Sequence, residues 1–487
     1  PFYDLPEGDI SKEHPNMYWP FGQHILEPAQ LVKEHPNLYA IFLTHHGCGP
    51  DSVFSHYFRE VMAGKPYLQI EVDEHSSGVG VITRVEAFVN SLNPIKVQKA
   101  ENIATYEERI KHQPVNIKQG LAELKEGTTL YLPYLYPYTE ILKEVFVSQG
   151  INVKVLAQTS NVSIDIGRKF TITEEYFSLT ALLGDVFHGL QALQPDKERI
   201  AFWIPQSEGA EADGQYHRLL RTKLDEEGFA DVDIVAPFIE DLFCRDEAAG
   251  EAIFLSLLAG DLVRIAPPRR RNHYLQKILD LVKTNRLEID SLKEIAGAIT
   301  EELATLKAKK RILAIGESLI LFNDMLNNFT FAKMEDEGYR VIYASLCESF
   351  WMIWRDYLGQ NPSQSTERLR GKLAEYRKDI REISECLAEE SPFELDLENL
   401  VTEAANSIGY YNGANGRYRA AKLLGDLQRR IDGIVTVASM YENTGIVLNV
   451  LRKRFAAGRP KPLLHLTFDG NNNENDQTKI QSFLYYL

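Results

Sequence analysis

Residues 44–52 read THHGCGPDS. The apolar run Ile41 to Thr44 ahead of them has the content of a strand, and an amphipathic stretch follows from about Ser52. Strand, glycine-bearing loop and helix in that order are the opening of an α/β unit. The same alternation recurs downstream. Thr129 to Leu132, Tyr138 to Gln149 and Val153 to Leu156 predict strand, helix, strand; Ile200 to Ile204 and Ile312 to Ile315 begin similar units, and Val341 to Ala344 closes the latter. Short apolar strands between amphipathic helices predict tandem doubly wound, Rossmann- or flavodoxin-like, parallel-sheet domains. With 487 residues the chain exceeds one ordinary core. Three α/β regions are expected, at about 1–125, 126–300 and 301–487, the last carrying a charged helical insert at about 366–403.

Composition narrows the class. The chain is 44% hydrophobic and 25% charged, with no apolar run approaching the roughly 20 residues of a membrane span. No charged-then-apolar leader opens it, and its four cysteines (Cys48, Cys244, Cys347, Cys386) form no CxxC pair. A soluble, unexported, cytoplasmic protein is expected. The net charge of -16 disfavours a nucleic-acid partner. The one basic clump, Arg269 to Arg271 in PPRRRNHY, is expected to be a solvated loop.

The two ends echo one another. KPYLQIEVDEH from Lys65 precedes ITRVEAFVNSL, and KPLLHLTFDGN from Lys461 precedes QTKIQSFLYYL. This aligns Asp73 with Asp469 and Phe88 with Phe483, each copy being strand, loop and amphipathic helix. Duplication is the expected origin.

Candidate chemistry gathers at strand ends. A cysteine just before a helix sits where backbone N–H groups favour a thiolate, the form that attacks electrophiles or ligates iron. Cys48 is therefore a candidate nucleophile, cluster ligand or buried core residue. His45 and His46 lie beside it, and Asp51 or Ser52 can cap the helix. Asp73, Glu74 and His75 end another strand, where they can act as acid and base, bind a divalent cation, or cap the next turn. Three glycine turns invite a phosphate reading: AIGES at Gly316, YYNGANGRY with Gly413 and Gly416, and SIDIGRK at Gly167. None matches a dinucleotide fingerprint or a Walker lysine motif, and at the last Arg168 and Lys169 stand where hydroxyls belong. Nucleotide binding is not expected from any of them.

MYWPFGQ at Met17, GCGPDSVFSHYFRE at Gly47, GKPYLQIEVDEHS at Gly64 and TRVEAFVNSL at Thr83 resemble the 2-hydroxyacyl-CoA dehydratase activator-related family. Its members, also called CoA-enzyme activases, are akin to dehydratase D subunits and double-cubane cluster proteins. The likeness continues through TLYLPYLYP, IGRKF, LLGDVF, FWIP, GQYHRLLR, IGESLILFNDMLNN, IDGIV and HLTFDGN. It implies tandem doubly wound domains. It also implies iron-sulfur clusters that take electrons from an actin-like ATPase and pass them on at very low potential.

The implied ligands are largely replaced. Where the family has cysteine in GKECxP, this chain has TEEYFS with Tyr176; GPCRFGQY becomes GAEADGQY with Glu211; CMPG becomes ENTG with Glu442. Cys48 alone keeps its motif, and the other three cysteines are expected to be packing residues. A cubane needs several thiolates, usually four, so a cluster is expected only with ligands from a partner. Glu211 and Glu442 could instead ligate a harder metal if they converge in space. The leading expectation is a non-catalytic or regulatory paralogue that binds a cluster-bearing paralogue or the actin-like ATPase activator, singly or as an oligomer. The alternatives are a redox enzyme completing a cluster at Cys48 across chains, and a carboxylate-based metal or acid/base enzyme using Asp73, Glu211 and Glu442.

Overall fold

The computed structural model describes residues 10, 14, 17, 19–45, 49–72, 76–92, 117–172, 175–193, 198–207, 211–245, 247–360, 364–408, 414–425, 431–455, 461–471 and 473–487. Cys48, His46, Asp73, Glu74 and His75 lie outside the described residues, as does Gly413; the side chain of Cys244 is likewise not described.

Three sheets, all parallel, organise the chain. Strands β1 (Ala40–Thr44) and β2 (Tyr67–Glu71) pair, with Thr44 opposite Glu71. The second sheet holds β3 (Ile117–Lys118), β4 (Thr129–Leu132), β5 (Asn152–Val155), β6 (Ile200–Trp203) and β7 (Asp233–Val235), in the order β3-β7-β6-β4-β5. The third holds β8 (Arg311–Gly316), β9 (Arg340–Tyr343), β10 (Gly433–Ser439) and β11 (Leu463–Phe468), in the order β11-β10-β8-β9. Within β4 to β7 and within β8 to β11 the first strand lies between the second and the third, with the fourth outside the third. That is the flavodoxin-like doubly wound order, whose ligand crevice lies at the carboxyl ends where the winding reverses. The fold is α/β with multiple parallel sheets, as expected.

Alternation along the strands shows how the layers stack. In the five-stranded sheet Leu130, Leu132, Ala201, Trp203 and Val235 enter a core shared with the third sheet. Tyr131, Ile200, Phe202, Ile234 and Ala236 face the other way, into a core with Leu26, Phe42, Phe54 and Phe58 of the N-terminal region. The middle sheet is thus buried on both faces, and β4, β6 and β7 carry almost no polar side chains accordingly. Strand β3, ahead of residue 125, belongs to this sheet. The charged insert is a pair of helices, Gln364–Leu387 and Leu397–Ile408, between β9 and β10. Among the described residues no helix is long and apolar enough to cross a membrane.

Several sequence features take structural roles. Arg271 is not in a solvated loop: it starts the helix Arg271–Lys283, is buried, and meets Glu335 through two hydrogen bonds of 2.5 and 2.7 Å. Gly167 and Gly184 let the helices Asn161–Gly167 and Phe177–Ala192 cross backbone to backbone. A Cβ on Gly167 would fall 1.9 Å from the Thr180 carbonyl oxygen, and one on Gly184 would fall 2.0 Å from that of Ser163. Gly316 does the same for β8 against Val437 of β10. Cys347 is a buried packing residue whose thiol is pushed well up by burial and by Asp261 and Glu348.

The echo of the two ends also has a structural counterpart. Strand β2 leads into the exposed helix Gly78–Leu92, and β11 leads into the helix Glu474–Tyr486. Lys65 and Lys461, aligned in sequence, both donate to main-chain carbonyls just ahead of the preceding strand. Lys65 reaches Val32 (2.5 Å) and His35, and Lys461 reaches Ile431. The pairing of Asp73 with Asp469 lies outside the described residues.

Candidate functional site

Where the carboxyl ends of the sheets face one another, the chain builds a buried polar junction. After β10 the chain turns through Tyr441, held at φ +69°, so that Glu442 and Asn443 start the helix Asn443–Phe455. The Asn443 N–H donates to the Tyr176 hydroxyl at 3.0 Å, and Tyr176 precedes the helix Phe177–Ala192. Next to it the Ser178 N–H donates to Ser439 Oγ at 3.1 Å, and Ser178 Oγ lies 3.0 Å from the Tyr216 hydroxyl. Glu317, one residue beyond β8, accepts the Ser439 N–H at 2.8 Å. Glu442 accepts the Gly445 N–H at 3.0 Å and Arg419 Nη1 at 2.5 Å. Glu211 follows the loop after β6 and precedes the turn Ala212–Gln215.

Tyr176, Glu211 and Glu442 therefore come together from three distant parts of the sequence. All three are buried, as are Glu317 and Arg419. The N-terminal loop reaches the same place. Gly49, at φ +57°, lies so close to Asn443 that a Cβ would fall 2.4 Å from Asn443 Oδ1. The helix Pro50–Val61 behind it is tied to the junction by His56 Nε2 against Glu175 Oε1 at 2.5 Å, and by Tyr57 donating to Gln215 Oε1 at 3.1 Å. Asp51 accepts from Thr44 Oγ1 at 2.7 Å and from the His45 N–H at 3.2 Å, while Ser52 Oγ donates to the Gly49 carbonyl. Asp51 fixes the exit of β1; neither residue caps by accepting from the helix's own first turn.

Electrostatics set the chemistry of the junction. Three buried carboxyls, Glu211, Glu317 and Glu442, share one guanidinium. Both oxygens of Glu211 lack a hydrogen-bond partner, and so do Nε and Nη2 of Arg419. Burial pushes the Glu211 carboxyl well above its ordinary range; Glu442 adds to that and Arg419 opposes it. Glu442 is also raised, by burial first, with Arg419 pulling against Glu317. The Tyr176 phenol is held well above its usual value by burial and then by Glu211 and Glu442. Burial disfavours the Arg419 charge, but Glu442 and Glu211 more than offset it, so the guanidinium stays charged. Glu211 and Glu442 are a pair of like groups that cannot both ionise cheaply, and burial pushes both towards the neutral form.

A cavity of about 430 Å³ adjoins the junction, lined by Pro133 and Leu135 after β4, Ile204 and Pro205 after β6, and Ser318 and Leu319 after β8. The first four border the winding reversal of the five-stranded sheet, between β4 and β6, and the last two bring in the carboxyl end of β8. Asp213 opens onto the cavity with exposed surface, while Glu211 and Tyr216 form part of its wall.

The residues present do not fit an iron-sulfur cluster. At the three positions where the resemblance implies thiolates, the donors are a phenol and two carboxyls, one of them bound to the Arg419 guanidinium. Nor are three His, Cys, Asp or Glu side chains arranged to hold one metal ion among the described residues. Sequence reading missed Arg419, Glu317 and the cavity. In AIGES and NGRYR the glycines suggest phosphate turns, while the acid in one, Glu317, and the second arginine in the other, Arg419, carry the charge. No known protein-family model matches the chain, and no curated protein matches it.

Proposed function

We propose that this chain is a non-catalytic or regulatory cytoplasmic subunit of a low-potential, ATP-dependent electron-transfer system of the 2-hydroxyacyl-CoA dehydratase or double-cubane type. In this reading it keeps the scaffold, has rebuilt the cluster position as a proton-holding network, and binds a cluster-bearing paralogue or an actin-like ATPase activator. One observation carries the reading: Tyr176, Glu211 and Glu442, the positions of the implied thiolates, meet in one buried place and carry oxygen donors, of which Glu442 is bound to Arg419 and Tyr176 to the Asn443 N–H. Chance replacement at three unrelated surface positions would not leave them in contact with one network.

The N-terminal unit supports the docking half of the proposal. The helix Gly78–Leu92 turns Val81, Val85, Phe88 and Leu92 towards its sheet, and leaves a second stripe open, with Val79 73%, Ile82 58% and Val89 51% exposed. Apolar residues at helical spacing on an outer face mark an interaction surface. The test is anaerobic co-purification of the full chain with a cluster-bearing relative and, separately, with the ATPase. A stoichiometric complex weakened by Ile82→Asp is expected with one of them. Failure to bind either, with both partners active, counts against the proposal.

A second reading is favoured by the cavity: a cofactor-free acid/base enzyme in which the Glu211 and Glu442 pair holds a transferable proton beside a substrate crevice. It requires a reaction whose rate collapses on Glu211→Gln while binding of the partner is unaffected.

A further inference from the structure

A second cavity, of about 920 Å³, lies among the helices Leu346–Gln360, Gln364–Leu387, Leu397–Ile408 and Ala414–Leu424, and shares Asp356 and Arg417 with the wall of the first. Six cations line it, Arg355, Arg370, Arg377, Lys378, Arg381 and Arg417, against two carboxylates, Asp356 and Glu398. Such a lining is unexpected in a chain of net charge -16. Four of the six come from one helix, at 370, 377, 378 and 381, a spacing that puts them on one face.

The surroundings cancel this charge only in part. Asp356 is shared between Arg355, at 2.8 Å, and Arg417. Glu382 is shared between Lys378, at 3.5 Å, and Lys293. Arg377 is the exception: with Lys422 it is balanced by Glu348, at 3.1 Å from each, and by Glu394, at 3.7 Å from Lys422. Arg370 meets Glu367 only in an exposed pair, which contributes little. No described residue pairs with Arg381. Cations held this close without matching anions repel one another, and a bound anion relieves that.

We propose that this cavity binds a small molecule bearing a chain of linked phosphates, such as a nucleoside di- or triphosphate or inorganic tripolyphosphate. Arginine forks match phosphate oxygens in pairs, and five of the six cations are arginines. Arg377 and Arg417 are buried and fixed, whereas Arg370, Lys378 and Arg381 stand at the rim, free to close on a ligand. Residues 370 to 381 spread the charge over about 16 Å of helix, more than one phosphate can span. The cavity is within the usual size for a small-molecule site. Trp351, the aromatic residue in its wall, is 3% exposed and donates its indole N–H to the Leu373 carbonyl, so it offers no platform for a base. Recognition therefore rests on the phosphates. No phosphate-binding loop announces the site, because helix side chains build it.

The test is calorimetric titration of the full chain with inorganic tripolyphosphate, ADP, AMP and poly-glutamate in low salt. One saturable site for tripolyphosphate is expected, with ADP similar, AMP at least tenfold weaker and poly-glutamate negligible. Affinity should fall as salt screens the charges. Arg381→Gln and Lys378→Gln should each weaken tripolyphosphate about tenfold, and since both side chains are exposed the thermal midpoint should not move. No saturable binding of tripolyphosphate, or binding indifferent to both substitutions, overturns the proposal. Binding of ADP alone overturns the claim that phosphates suffice, and poly-glutamate as tight as tripolyphosphate overturns it in favour of an acidic protein partner.

Discussion

Two of the buried groups of ionisable side chains among the described residues are built on opposite plans. Glu348 and Glu394 meet Lys422 and Arg377 between the helices of the third domain. Lys422 reaches Glu348 at 3.1 Å and Glu394 at 3.7 Å, Arg377 reaches Glu348 at 3.1 Å, and the Glu394 N–H donates to Glu348 at 2.9 Å. Two anions and two cations balance. At the junction, by contrast, three carboxyls face one guanidinium, and both oxygens of Glu211 are without partners. The balanced group is what a buried network must be if it only holds helices together. The unbalanced one keeps a cost that packing does not require, and such places are where function, present or past, is to be sought.

Breaking the balanced group should have the largest effect. Lys422→Met leaves two buried carboxylates with Arg377 as their one cation, and a loss of about 3–5 kcal/mol in unfolding free energy is expected from denaturant titration. A loss below about 1 kcal/mol would remove the contrast.

Arg419→Met makes the comparison sharper, because the junction can respond by taking up protons. The expected loss is about 1–3 kcal/mol at pH 8, shrinking towards zero at pH 5 as Glu442 and Glu211 become neutral. A loss equal at both pH values would show that the carboxyls do not titrate together.

Glu211→Gln should have the smallest effect and the opposite sign. The folded chain binds this proton more tightly than the unfolded chain does. Its contribution is therefore complete below the ordinary carboxyl value of 4.5, and is lost as pH rises towards the raised folded value. The variant should match the parent near pH 4.5 and exceed it by about 1 kcal/mol at pH 8, since removing a buried like charge relieves repulsion. His217, pushed down to about 3 by burial, tilts both proteins the other way: stability falls as pH drops below 6.5. The difference between parent and variant, not either curve alone, isolates Glu211.

Local pattern carried the fold far. Each strand and helix named from apolar runs lies within two residues of its observed place, because parallel strands buried on both faces are continuous apolar runs. The resemblance also named Tyr176, Glu211 and Glu442 as related positions, and they meet. What sequence could not show was their company. Arg419 and Glu317 follow glycines that looked like phosphate loops, and only the pairing of β8 with β10 shows that Gly316 serves close strand contact. Arg271 looked like part of a solvated clump, and its partner Glu335 is 64 residues away. The basic cavity was hidden for the same reason: RGKLAEYRKDIR, from Arg370, has the composition of any exposed helix, and its face becomes a site only when three other helices close around it.

The proposal rests on the junction of Tyr176, Glu211 and Glu442 holding no iron-sulfur cluster. It is tested most directly by iron and acid-labile sulfide analysis of the anaerobically purified chain, before and after reconstitution with iron and sulfide. The expected result is no stoichiometric iron and no brown absorbance, with Cys48→Ala indistinguishable from the parent. Iron and sulfide in cluster stoichiometry in the isolated chain, lost on Cys48→Ala, would contradict it.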